Sequence, residues 1–138
     1  LYKSQGKLAE AEPLYQRALA IREQELGQLH SSTATSLNNL AVLYNDQGKF
    51  AEAEPLYQRA LAIREQLLGP LHPDTTNSLS NLAALYTEQG KLADARLLLH
   101  RVLDSYEKMF GAEHPDTQDA LRSYKLLQQK LKQDVQYS

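Results

Sequence analysis

KLAEAEPLYQRALAIREQELG, from Lys7 to Gly27, recurs as KFAEAEPLYQRALAIREQLLG, from Lys49 to Gly69, with changes only at 8/50 and 25/67. The repeat is therefore 42 residues long. A shorter period runs inside it: the 6 glycines, Gly6, Gly27, Gly48, Gly69, Gly90 and Gly111, stand at a constant spacing of 21 residues. Each repeat is thus built of two unlike halves. A fixed period in this range marks an array whose units are too small to bury their own apolar faces and do so by stacking on neighbours. Such an array offers surface rather than reaction chemistry.

Each interval between glycines reads as one helix. In LNNLAVLYNDQG, Leu37, Leu40, Ala41 and Tyr44 fall at i, i+3, i+4 and i+7, a single stripe on a 3.6-residue period that Gly48 then stops. We term this helix A. In the other half, helix B, the residues Phe50, Ala53, Leu56, Tyr57, Ala60, Leu61 and Leu68 make a broader stripe, so B is expected to be covered on more of its circumference. Between B and the next A come GPLHPDT (69–75) and GAEHPDT (111–117), where Pro73 or Pro115 suits a first helical turn and Asp74 or Asp116 is favoured there by the helix dipole. These are tight turns. Pro13 and Pro55 fall early in their B helices, where a mild kink at most is expected.

Counting then orders the elements. Leu1 and Tyr2 match Leu43 and Tyr44, so the chain is expected to open on the last turn of a truncated A helix. After it come B near 7–26, A near 32–47, B near 49–68, A near 73–89, B near 91–110 and a last A from about 115. The expected fold class is all-α, a solenoid of antiparallel helix pairs. Its repeats fall at 1–27 (truncated), 28–69, 70–111 and a terminal A helix over 112–138. In that last helix Lys132 stands where a glycine is due, while Leu121, Tyr124, Leu127, Leu131 and Val135 carry an apolar spacing past it. The array reads as ending there.

Composition limits the partners. Lys+Arg 15 against Asp+Glu 17 gives a net charge of −2, without the basic footprint that nucleic acid requires. No apolar run approaches the roughly 18 residues that span a bilayer. The chain has 0 cysteines, which excludes disulfides and thiolate metal sites. His30, His72 and His114 recur one repeat apart, too far to share an ion that needs every ligand nitrogen within about 2.1 Å, and so read as turn residues. The carboxylates come mainly from repeated surface positions such as Glu10/Glu52 and Glu12/Glu54, with no Gly-rich phosphate loop and no Ser–His–Asp grouping. No enzyme activity, metal or cofactor is expected.

The spacing Leu37-x2-Leu40-Ala41-x2-Tyr44, followed by Ala53-x3-Tyr57 and Ala60, resembles the tetratricopeptide repeat, with Leu in place of its Trp and Ala in place of its Gly. Leu79-x2-Leu82-Ala83-x2-Tyr86 and Ala95-x3-Leu99 repeat it. The longer form, with SLNNLAVLY, QGKFAEAEPLYQRALAI and LGPLHPDT, is similar to the kinesin light chain type, and the likeness runs to about Leu127. The period alone also admits a HEAT or armadillo array of about 40–47 residues, but the small-residue and tyrosine spacing favours the tetratricopeptide form.

The resemblance implies a right-handed superhelix whose A helices line a concave face, a partner peptide in that groove, and a cytoplasmic location. If Leu37, Leu40, Ala41 and Tyr44 pack inward, the stripe about 100–120° further round is Thr35, Asn38, Val42 and Asn45. It repeats as Asn77, Ser80, Ala84 and Thr87, then as Asp119, Arg122, Leu126 and Gln129, with Asn39 and Asn81 alongside. The family often holds a peptide backbone with an Asn at the position of Asn39 and Asn81, and an amide both donates and accepts. The alternative for these positions is a merely solvated helix face. Lys and Arg, which chaperone-tail clamps of this family use, are replaced here by Asn38, Ser80 and Val42, and Arg122 is the only basic residue on the stripe. The expected function is a non-catalytic scaffold that binds a protein or peptide segment. The alternative is an architectural array with no groove ligand. The two ends, a first B helix and a last A helix, are unlike, so weak head-to-tail self-association is also expected.

Overall fold

The computed structural model describes residues 2–27 and 30–137, with side chains for 6–27 and 30–133. Six helices follow one another: α1 (Tyr2–Leu26), α2 (Ser31–Asp46), α3 (Phe50–Leu68), α4 (Pro73–Glu88), α5 (Leu92–Phe110) and α6 (Pro115–Tyr137), with no strand among the described residues. The ends of α2 to α5 fall within one residue of the sequence count. The opening stub does not form a separate element. Tyr2 already belongs to α1, Leu1 lies outside the described residues, and α1 passes through Gly6. Pro13, expected early in a helix, therefore sits well inside a 25-residue one. At the other end α6 runs past Lys132, and the Val135 side chain lies outside those described.

Local chemistry sets the helix ends. His30, His72 and His114 each turn a ring Nδ1 onto the backbone N–H two residues on, at 3.0, 3.1 and 3.1 Å from Ser32, Asp74 and Asp116. Each thus satisfies a donor that the first helical turn leaves without a partner. The A helices close by a shared device. Gly48 and Gly90 take φ +77, the Lys49 N–H donates to the Tyr44 carbonyl at 2.8 Å and the Lys91 N–H to that of Tyr86 at 2.8 Å. This six-to-one bond is the Schellman turn. The same lysines lay their ammonium groups over the rings of Tyr44 and Tyr86, 5.8 and 5.6 Å from the centroids.

The chain divides into two compact units, Leu1–Gly69 and Pro70–Ser138. In the first, α2 packs against both α1 and α3. Its Ala34, Leu37, Leu40 and Leu43 meet Leu19 of α1 and Ala60 and Ile63 of α3. Gln16 donates to the Tyr44 hydroxyl at 2.7 Å, and Arg59 pairs with Glu23 at 3.1 Å. The latter is a surface pair of small worth. In the second unit α5 packs against both α4 and α6. Leu79, Leu82, Leu85, Ala95, Val102, Leu103, Ala120 and Leu127 are its buried apolar residues on those helices, together with Ala83.

The expectation that B helices are the more covered is overturned. α2 buries Thr33, Ala34, Ser36, Leu37, Leu40, Ala41 and Leu43 of its 16 residues, whereas α5 buries only Ala95, Val102, Leu103 and Ser105 of 19. Small Ser and Thr side chains on α2 let neighbouring helices approach closely, and the Thr33 and Ser36 hydroxyls find partners. Thr33 Oγ1 donates to the Gly27 carbonyl at 2.8 Å, and Arg22 donates to Ser36 Oγ. A burial satisfied in this way costs little.

Candidate functional site

The A helices carry every groove residue expected from the sequence, and none of these is buried. On α2, in the first unit, Thr35, Asn39 and Val42 are exposed while Asn38 and Asn45 are half-buried. The Thr35 hydroxyl is turned back onto the Ser31 carbonyl at 3.1 Å. Asn45 keeps a buried Oδ1 that meets no donor among the described residues. On α4, in the second unit, Asn77, Ala84 and Thr87 are exposed and Ser80 and Asn81 half-buried. Asn81 donates to Asn77 Oδ1 at 3.1 Å, and Thr87 donates to the Ala83 carbonyl at 2.9 Å. Such back-bonds keep a hydroxyl on its own helix.

The second unit gathers three of these residues around open space. Ser80, Ala84 and Thr87 of α4 face Ser123, Leu126 and Leu127 of α6 across a hollow of about 430 Å³, whose floor is Leu99 of α5 and whose end carries Glu88 and Lys130. A second hollow of about 300 Å³ shares Ser80, Leu99 and Ser123 with the first and continues to Tyr106, Asp116 and Asp119. Leu126 is 61% exposed in this groove, a large apolar side chain left in solvent. Asn77, Asn81 and Arg122 do not line either hollow. Arg122 is instead ion-paired with Asp119 on its own helix.

Counting from the A helices alone missed Leu99, Ser123, Lys130 and Tyr106. Leu99 had a signal, since it departs from Tyr57 one repeat earlier. Tyr106 had none, because only packing brings the end of α5 beside the start of α6. Burial raises its phenol above the ordinary value of 10.0, the Asp116 carboxylate adds to the rise, and a hydrogen bond with the Ser80 side chain opposes it. The unfolded phenol then releases its proton first as pH rises, so this contribution to stability is fully present below pH 10.0 and is lost as pH climbs through the folded value. Tyr106→Phe is expected to flatten that alkaline loss. Urea midpoints of both proteins at about pH 8 and about pH 11 check it, and a variant that loses as much as the parent would show the phenol uninvolved.

Among the described residues no group of His, Cys, Asp and Glu could hold a metal ion, and no helix is long and apolar enough to cross a membrane. The two hollows are lined by short polar and apolar side chains of α4, α5 and α6.

The chain belongs to the tetratricopeptide repeat family, whose model matches residues 1–66 and 32–108. It is an all-α repeat solenoid of the kinesin light chain-like type, and its repeats mark a protein-interaction scaffold. Among solved structures it is similar to a Podosopora anserina protein assigned to kinesin light chains and described as having nearly identical TPR-like repeats. That match has a TM-score of 0.83 at 29% identity, covering 96% of this chain and 63% of the other. A single-substitution variant of the same protein matches with a TM-score of 0.80 at 28% identity, over 91% and 59%. BtubC (BKLC) from P. vanneervenii shares the fold, with a TM-score of 0.79 at 23% identity, over 88% and 49%. The chain thus spans less than two thirds of the length of each of these relatives. No curated protein matches it.

Proposed function

We propose that this protein is a non-catalytic, kinesin light chain-like scaffold that holds an extended segment of a partner protein along its A helices. The observation that carries this reading is the α4–α6 groove. Ser80, Ala84 and Thr87 meet Leu99 and Leu126 there in an open hollow of about 430 Å³. Mostly apolar concave surface with a few convergent polar groups is what a bound side chain needs. In this reading Thr35, Asn38, Asn39, Val42 and Asn45 offer equivalent contacts on α2, with Asn77, Asn81 and Arg122 at the margins. A cytoplasmic location belongs to the same proposal.

Asn39 and Asn81 are assigned to the backbone of the bound segment. Replacing both with alanine is expected to weaken peptide binding by about 1–3 kcal/mol in total, each amide contributing a net hydrogen bond of roughly 0.5–1.5 kcal/mol. Peptides selected from a library on the parent protein supply the probe, with isothermal titration as the measurement. Equal losses of affinity and thermal stability would make the pair structural. Unchanged affinity would remove it from the site.

A further inference from the structure

Leu99 occupies the position that Tyr15 and Tyr57 hold in the first two B helices. Tyr57 is 3% exposed, a ring filling its space, whereas Leu99 is half-buried at the bottom of both hollows. The shorter side chain leaves a socket where the repeat otherwise carries a ring. One end of this groove is acidic. Asp116 and Asp119 line it with side chains 59% and 67% exposed. The His114 Nδ1 that lies 3.9 Å from the Asp116 carboxylate accepts the Asp116 backbone N–H, while Asp119 is shared with Arg122. At the other end Glu88 and Lys130 carry opposite charges that offset each other.

Resting on the reading that the groove binds a peptide, we propose that its occupant is an extended segment with one apolar side chain seated between Leu99 and Leu126 and a lysine or arginine at the end that carries Asp116 and Asp119. Spacing follows from the helix. Asp119 and Leu126 lie seven residues apart on α6, about 10 Å along its axis. That distance is about three residues of extended chain, and because side chains alternate faces, the basic residue falls two or four positions from the apolar one. The attraction is between exposed or half-exposed charges and should weaken as salt rises.

The test is an array of decapeptides with randomised positions, probed with the labelled full chain. Enriched peptides are expected to pair an apolar residue with Lys or Arg at that spacing. Asp116→Asn combined with Asp119→Asn should weaken them roughly three- to fivefold, and Leu99→Tyr about tenfold or more by filling the socket. Replacing the peptide's basic residue with norleucine, which alters nothing in the protein's fold, should cost the parent the same factor and the Asn variant nothing. Enriched peptides that are acidic, or that show no basic preference, would overturn this inference and leave the peptide-binding reading intact. So would a norleucine penalty undiminished in the Asn variant. No enrichment at all would overturn both.

Discussion

Leu37→Ala is expected to cost about 2–5 kcal/mol, the largest single effect in the molecule, because a fully buried leucine is lost from a site that cannot collapse. Leu37 is 0% exposed at the middle of α2, with Leu19 of α1 and Ala60 and Ile63 of α3 in the same cluster. Ala34 and Ala41 beside it are already small, and the long neighbours Leu19, Leu40 and Ile63 are themselves buried in the cluster, which limits how far they can shift into the space. The loss should therefore combine the transfer of the missing atoms with an unrelaxed cavity. Urea unfolding followed by helical circular dichroism provides the measurement, with a lower midpoint and an unchanged slope as the expected result. A loss below about 1 kcal/mol would mean that α1 and α3 close over the gap. The same substitution at Leu79, its buried counterpart in the second unit, should behave alike.

Second in size, and opposite in sign within one ladder of residues, are the glycine substitutions. Gly69 ends α3 at φ 85, ψ 168, a backbone region that is essentially closed to side-chain-bearing residues, and Gly111 ends α5 at φ 87, ψ 163. A Cβ at Gly69 would meet nothing within 4 Å, so Gly69→Ala tests conformation without any clash. The expected cost is about 1–3 kcal/mol. Gly6, by contrast, lies within α1 and takes no positive φ. There alanine removes backbone freedom from the unfolded chain at a position whose conformation it accepts, and Gly6→Ala should stabilise by up to about 1 kcal/mol. Thermal unfolding of the two variants side by side decides the matter. Equal effects of the two would show that Gly6 ends a helix as the others do.

Much of the candidate site was legible because it is periodic. Ser80, Ala84 and Thr87 were reached by rotating about 100–120° from the apolar stripe of an ideal helix, and α4 presents them beside the hollow as that geometry requires. The floor could not be reached in this way. Leu99 and Tyr106 belong to a B helix and enter the groove only through the packing of α5 between α4 and α6. Burial of Thr33, Ser36, Thr75 and Ser78 was also invisible, since a polar side chain in a sequence does not announce a partner such as the Gly27 carbonyl that receives Thr33 Oγ1.

By itself the sequence determined the period, the alternation of two helix types, the chain ends of α2 to α5 and the histidine turns. All of these follow from local spacing and from residues whose backbone preferences are strong. Only the tertiary structure decided which of six equally spaced glycines turn the chain. At Gly48 and Gly90 the helices on either side are held by packing, and the turn closes with the Lys49 and Lys91 bonds to Tyr44 and Tyr86. At Gly6 the helix continues. Glycine permits the left-handed backbone but does not impose it, so a turn forms where the packing of whole helices demands one.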